Sequence, residues 1–481
     1  MSADTRRLTA DFPPVDRTTP AVVLKFDPNA MHHGGLGAIR SLGRLGIPVY
    51  GVHEGRWAPA ANSRYLHGRL FWQPAPEDAE RVRAGLLQLA RRIGRPAVLI
   101  PTDDAGAIFL AEHGGGLRDA FLFPRPPADL PRKLAGKYSM HLLCRELGMP
   151  SPRVALPASL DEALEFATAE GFPVLAKLTT PWRYGGALRS TAIVRTAAEL
   201  EASYHASDRA GACLMLQEHI PGGPGRDWFF HGYCGAGPAC RPAFTGIKDR
   251  SYPAYAGLTS LGHSVPNPAL RDQICAMLAR LSYRGIMDLD LRYDARDGQH
   301  KLLDFNPRLG AQFRLFRDAA GIDVVRAAYL DLTGQAVPAA AQVDGRSFVV
   351  ENYDPLGALG YWRRGDLTLR AWARSLHGVD EVAWFACDDL RPFGLMCLRM
   401  GWRAASRPFT LRRGAVAGRP ARPRYRRGRA AARPGPDSSP RTAAAATRPR
   451  PAAPVAEAIS GLGAQSPPHE QTSPLDKGDN A

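Results

Sequence analysis

One predicted hairpin constrains this chain more than any other stretch. Residues 284–308 read RGIMDLDLRYDARDGQHKLLDFNPR, two strand-like runs around a turn at DARDGQ. Side chains at i, i+2 and i+4 of a strand share a face. Asp288 and Asp290 therefore share a face of the first strand, and Asp304, Asn306 and Arg308 form a row on the second. A turn centred near Asp297 sets residue 290 roughly opposite residue 304. The apolar neighbours Ile286, Met287, Leu289, Leu291, Leu302, Leu303 and Phe305 require the alternate face to be buried. Two readings are open. The acids form a solvated face running into an ordinary Asn-Pro turn, or they hold a hard cation, which takes one or two carboxylates plus substrate phosphates.

Upstream residues favour the cation. Lys177 ends the apolar strand FPVLAKLTT, where an ammonium group needs an anionic partner or solvent. Lys137 opens the helix KYSMHLLCRELG, an end where the helix dipole disfavours a cation. Between them in function lies the loop PWRYGGALRS, whose backbone amides suit phosphate oxygens. Each feature alone is also what a solvated lysine or an ordinary loop looks like.

Composition narrows the classes. A chain of 481 residues has room for about three domains. From Ala404 onward the sequence is Arg, Pro and Ala with little aliphatic bulk, a composition expected to be disordered. Residues 403–481 hold 15 Lys plus Arg against 5 Asp plus Glu, so +10 of the chain's net +16 belongs to the tail. The basic balance does not make the folded part a nucleic-acid binder, and only non-specific tail contacts are expected. Seven cysteines are scattered without a CxxC or a Cys/His zinc spacing, as expected of reduced thiols in a cytoplasmic protein. No apolar run is long enough to span a membrane, and MSADTRRLTADFPPVDRTTP has no secretory apolar core, so no membrane association is expected.

Along the chain, residues 1–19 are expected to be disordered. Residues 20–130 alternate strand and helix, opening with AVVLKF, the glycine turn HHGGLGA and PVYGVH, a β-α-β start. HHGGLGA is a poor match to the dinucleotide-binding GxGxxG fingerprint. Residues 131–337 form a second domain with lobes near 131–212 and 213–337. In it Ser159 and Gly171 read as helix caps, and Asn267 caps a helix that feeds the hairpin. Residues 338–403 read as an added subdomain with a helix near 366–377, docked on the rest, and 404–481 as the tail.

The order Lys137, Lys177 in PVLAK, a glycine loop, LQEHIPGG and finally DLDLRYD…LLDFNPR resembles the ATP-grasp superfamily of carboxylate–amine ligases, which includes D-alanine–D-alanine ligase, D-aspartate ligase and biotin carboxylase. FTGIKDRSYPAYAG resembles a segment of members near D-aspartate ligase. The resemblance covers about residues 20–335. It implies a mixed α/β and α+β fold, two α+β lobes clasping ATP behind a small Rossmann-like α/β domain. It implies ATP with Mg2+, or Mn2+ in its place. Lys137 and Lys177 would hold phosphates. Gln217, Glu218 and Ile220 would line the adenine site, and Asp227 would take the ribose. Asp290, Asp304 and Asn306 would bind the metal. Lys248 would reach the transferred phosphate and Arg308 an anionic substrate group, as the catalytic pair. Partners would be a small-molecule carboxylate and an amine, with a homodimer one assembly open to the chain. Where the family usually has Glu this chain has Asp304, a shorter reach, and Trp182 and Tyr184 interrupt the glycine loop. The alternative is a non-catalytic ATP-binding protein on the same fold.

Overall fold

The computed structural model describes residues 15–403, apart from Pro74, Pro76, 180–190, Pro238 and Ala256. The glycine loop with Trp182 and Tyr184, the basic tail from Ala404 and residues 1–14 lie outside the described residues.

The chain opens with β1 (Ala21–Leu24), α1 (His33–Gly43), β2 (Val49–His53), β3 (Leu66–Phe71), α2 (Ala79–Ile93), β4 (Ala97–Pro101), α3 (Asp104–His113) and β5 (Phe121–Leu122). The five strands make a parallel sheet in the order β3-β2-β1-β4-β5. AVVL of β1 and AVLI of β4 are buried throughout, as parallel strands covered on both faces must be. The winding reverses between β1 and β4, which leaves a crevice at their carboxyl ends. Asp103 sits there. It accepts from Gly106 N to cap α3, and from Phe26 N and Asp27 N to tie the loop after β1.

Two short helices, α4 (Leu130–Ala135) and α5 (Lys137–Leu147), lead into β6 (Val154–Ala155), α6 (Leu160–Glu170), β7 (Val174–Leu178), β8 (Thr191–Val194), α7 (Ala197–Arg209) and β9 (Leu214–Glu218). The four strands pair antiparallel in the order β6-β9-β7-β8. Ser159 Oγ caps α6 by accepting from Glu162 N, and Gly171 ends that helix at φ 79°, a left-handed conformation that glycine adopts freely.

The largest sheet holds β10 (Asp227–Cys234), β11 (Cys240–Tyr252), β12 (Leu258–Ser264), β13 (Gly285–Asp294), β14 (Gln299–Asn306), β15 (Ser347–Val349) and β16 (Glu381–Val382). Its order is β14-β13-β10-β11-β12-β15-β16. Helix α8 (Pro268–Arg280) precedes β13, capped by Asn267 Oδ1 on Leu270 N, and α9 (Val324–Leu332) follows β14. After β15 come α10 (Asp354–Arg363) and α11 (Leu369–Ser375). All pairs are antiparallel except β15 with β16.

Asp16 and Thr19 are tied to α9: Tyr329 donates to the carbonyls of both, and Gln335 accepts from Asp16 N. Residues 338–403 contribute β15 and β16 to the large sheet. β15 pairs with β12, which would otherwise be an open edge.

One apolar cluster runs from β1 and α1 through Phe229, Phe313 and Phe316 to Trp384. Arg40 of α1 is 0% exposed within it. Its Nε meets Asp389 Oδ2 at 3.0 Å, and its Nη2 donates to the carbonyls of Trp384 and Asp389 at 2.8 and 2.9 Å. A buried guanidinium survives only when matched in this way.

Candidate active site

The β13–β14 ladder sets Asp290 opposite Asp304 and Asp288 opposite Asn306. The four side chains share one face of two paired strands. β10 runs along the other side of β13 and brings Asp227 opposite Arg292 and His231 opposite Asp288.

Asp290 and Asp304 open into a cavity of about 480 Å3 between the four-stranded sheet and the large sheet. Strand alternation decides what faces it. Leu175 and Lys177 of β7 line it, as does Gln217, opposite Leu175 on β9. Glu218, one residue on, does not. Its carboxylate accepts from Arg153 N at 3.0 Å and pairs with Arg296 at 2.5 Å on the reverse face. Ile193, Ile220 and Leu303 supply apolar lining, and Asp227 lies in the same wall.

At one end of the cavity three lysines meet the two aspartates. Lys137, at the start of α5, is ion-paired with Asp304 Oδ1, and Lys177 Nζ is 3.8 Å from the same oxygen. Lys248 of β11 pairs with Asp290 Oδ1 at 2.6 Å. Burial alone would raise the Asp304 pKa, but the two ammonium groups override it and hold the carboxyl well below its usual range. Asp290 moves the other way. Burial raises it, and the nearby Asp288 and Asp304 charges add to the rise against Lys248. Burial lowers Lys177 despite Asp304, whereas Lys137 is raised by Asp304 despite burial. The cluster thus has three positive and two negative groups confined together.

Asn306 and Arg308 are placed behind this end rather than in the cavity lining. Asn306 Nδ2 donates to the Asp288 carbonyl at 3.1 Å. Arg308 Nη1 donates to Asp288 Oδ2 at 3.1 Å, and its Nε lies 3.3 Å from Asp104 Oδ1, at the crevice of the first sheet. Arg308 therefore ties the end of the hairpin to the first turn of α3.

Several residues here were not read from the sequence. Arg292, two positions beyond Asp290, bonds Asp227 Oδ1 at 2.6 Å, the Ile220 carbonyl at 3.1 Å and the Tyr255 carbonyl at 3.1 Å, tying three walls together. His141 is one turn beyond Lys137 in α5, the spacing that places two side chains on one helix face. Its pKa is pushed down to about 4, first by burial and then by Lys177. At the opposite mouth stand Tyr255, Arg364 and Asp366, the last two just after α10. The Arg364 guanidinium lies 5.8 Å from the Tyr255 ring centroid, and Tyr361 of α10 meets that ring at 4.7 Å.

A divalent cation fits the donors present. Asp290 Oδ1 is buried and receives no hydrogen bond of ordinary geometry, so its contact with Lys248 leaves acceptor capacity. Among the described residues no group of three or more His, Cys, Asp or Glu is arranged to hold a metal by itself. Two facing carboxylates instead suit a hard cation that arrives with phosphate oxygens. Gln217 Oε1 is likewise buried without a hydrogen-bond donor of ordinary geometry, and its side chain lies near His141 of α5. Among the described residues no helix is long and apolar enough to cross a membrane.

No protein-family model matches the chain. A D-aspartate ligase from Enterococcus faecium is 25% identical over 228 residues, which are 44% of this chain and 53% of that protein. The chain thus spans about half the length of the curated relative it matches. Among solved structures, biotin carboxylase from Campylobacter jejuni superposes with a TM-score of 0.50 and 14% identity over 68% of this chain and 74% of that one. N5-carboxyaminoimidazole synthase from Aspergillus clavatus, in complex with ADP and 5-aminoimidazole ribonucleotide, gives 0.50 and 14% over 68% and 81%. With its parallel N-terminal sheet and two further sheets about the cavity, the chain shares the fold of these biotin carboxylase and N5-carboxyaminoimidazole synthase structures.

Proposed function

We propose that this protein is an ATP- and magnesium-dependent ligase that activates a carboxylate as an acylphosphate and joins it to an amine. One observation carries the reading. Lys137, Lys177 and Lys248 converge with Asp290 and Asp304, from one helix and four strands, at the polar end of a single cavity of nucleotide size. The D-aspartate ligase similarity and the ATP-grasp fold support it.

In this reading the adenine lies at the apolar end, between Leu175, Ile193 and Ile220, with Gln217 Oε1 accepting from its amino group. Glu218 serves only through its backbone. Asp227, held by Arg292, takes the ribose hydroxyls. Asp290 and Asp304, with Asn306 beside them, would hold the cation, and Lys137, Lys177 and Lys248, now paired with those aspartates, would turn to the phosphate oxygens. Bound there, magnesium supplies charge neutralisation to the triphosphate. A substrate carboxylate oxygen attacks the γ-phosphorus, and the bond to the ADP oxygen breaks. Lys248 stabilises the charge on the phosphoryl oxygens in flight. Arg308, rigid and forked, orients the carboxylate at the crevice it shares with Asp104. The amine then attacks the acyl carbon, the carbon–nitrogen bond forms and phosphate leaves.

The test is phosphate release from MgATP across a panel of carboxylates crossed with amines, headed by D-aspartate because of the curated relative. Release that requires both a carboxylate and an amine is expected. ATP binding without ADP formation across the whole panel would favour a non-catalytic nucleotide-binding protein instead.

A further inference from the structure

Three of the seven cysteines meet far from the lysine cluster. Cys234 ends β10, seven positions beyond Asp227, which at about 3.3 Å per residue is roughly 23 Å from the ribose wall. It is paired directly with Cys240, the first residue of β11. Residues opposed across an antiparallel pair have Cα atoms about 4.5–5.5 Å apart and side chains on one face, inside the about 4.4–6.8 Å that a disulfide spans. Cys275 projects from α8, which packs on β11, and shares with Cys240 the lining of a second cavity of about 720 Å3. Arg271, one turn before Cys275 on the same helix, lines it too. The Cys240 thiol donates to the Pro242 carbonyl at 3.9 Å, and Cys240 and Cys275 both pack against the apolar cluster that contains Cys234. Cys240 and Cys275 are partly exposed and Cys234 is buried. Cys240 thus has Cys234 opposite it in the ladder and Cys275 with it in the lining of one cavity, with a route in from solvent.

We propose that Cys275, Cys240 and Cys234 form an oxidant-reactive thiol site, in which Cys275 takes a hydroperoxide and Cys240 resolves the product as a disulfide. Cys275 is the sulfur favoured as thiolate. The neighbouring Cys240 thiol lowers its pKa, burial opposes this, and the Arg271 charge lowers it again against Asp272. The Cys275 thiolate attacks one peroxide oxygen and the O–O bond breaks. The leaving hydroxide or alkoxide takes a proton and departs as water or alcohol, and Cys275 is left as a sulfenic acid. The Cys240 sulfur then attacks the Cys275 sulfur. An S–S bond forms, the S–O bond breaks, and the second oxygen leaves as water with the Cys240 proton. Two thiols have given two electrons to one peroxide. Cys234 can exchange into this disulfide by attacking Cys240 and releasing the Cys275 thiol, which moves the bond to the buried cross-strand position.

The remaining cysteines are the internal standard, because Cys213, Cys387 and Cys397 are exposed while Cys144 is buried. The full chain is titrated with hydrogen peroxide, quenched with N-ethylmaleimide and mapped by peptide mass spectrometry. The expected result is a disulfide joining Cys240 to Cys275 or to Cys234, formed about tenfold faster than Cys213, Cys387 or Cys397 lose alkylation. In Cys240→Ser the Cys275 sulfenic acid should persist and be captured by dimedone, whereas Cys275→Ser should remove the fast phase. If the three exposed cysteines react first, or if Cys240 and Cys275 stay fully alkylatable at peroxide levels that oxidise them, the site is a packing cluster and the inference fails.

Discussion

Lys137 and Lys177 stand on either side of one carboxylate, and changing that carboxylate tests them together. Lys177→Ala removes a point charge at the end of a buried strand. It should weaken MgATP binding about tenfold or more, since charge-assisted contacts contribute roughly 1.5–3 kcal/mol. Calorimetry on the variant checks this. Asp304→Asn keeps the shape of the strand but strips the counter-charge from both ammonium groups. Phosphate release should vanish, and the nucleotide-free protein should also lose about 1–3 kcal/mol of stability. The pH dependence has a definite sign. The folded-state pKa of Asp304 lies below its ordinary value of 3.8, so its contribution is complete above that value and is lost as pH falls through the folded pKa. The gap in melting temperature between parent and variant should hold steady from neutral pH to about 4 and close only below it. A gap that closes at higher pH would remove Asp304 from its role as the shared counter-ion.

Elements show which parts of the sequence could be read and why. The hairpin was legible because a period of 2 fixes which residues share a face, and the observed register sets Asp290 on Asp304 as the turn position requires. The same alternation sends Glu218 away from the cavity, an outcome hidden by reading QEHI as a motif rather than as a strand. The N-terminal strands were legible as unbroken apolar runs. β15 and β16 were not, because three residues and two residues are too short to show any period. Nor could the sequence reveal that Asp354 of α10 lies against Arg250 of β11, with bonds of 2.9 and 3.0 Å, while accepting from Ser260 and Trp372. This latch carries α10 and its Tyr361, whose hydroxyl accepts from Tyr255 N at 3.2 Å. Asp354→Ala should destabilise the protein by about 3–5 kcal/mol, because it leaves a buried guanidinium unmatched, as thermal unfolding would report. Tyr361→Phe should barely change the melting temperature, yet lower MgATP affinity severalfold by loosening Tyr255 at the cavity mouth. Equal losses of stability in both variants would mean that Tyr361 is only packing.

For the whole molecule, the sequence marks where an apolar core can no longer be built but not what residues 338–403 do. A chain ending at Arg403 should fold and bind MgATP like the full-length protein, since the tail has no periodic apolar pattern. A chain ending at Val337 lacks β15, Trp384 and Asp389, so it strips a partner from β12 and the Trp384 and Asp389 acceptors from Arg40. It should be insoluble or lack a cooperative melting transition, which circular dichroism on the two truncations would show. Residues 338–403 looked separable because the contacts that integrate them join positions hundreds of residues apart, and no local pattern records such pairs. The Arg40–Asp389 bond also sets a clock on synthesis. Its partners are 349 positions apart. At about 5–20 residues per second, α1 waits roughly 20–70 s during synthesis for the carboxylate that neutralises its guanidinium. Until then α1 has an uncompensated cation on the face it must bury, so a sheet made well before residues 338–403 is completed only after them.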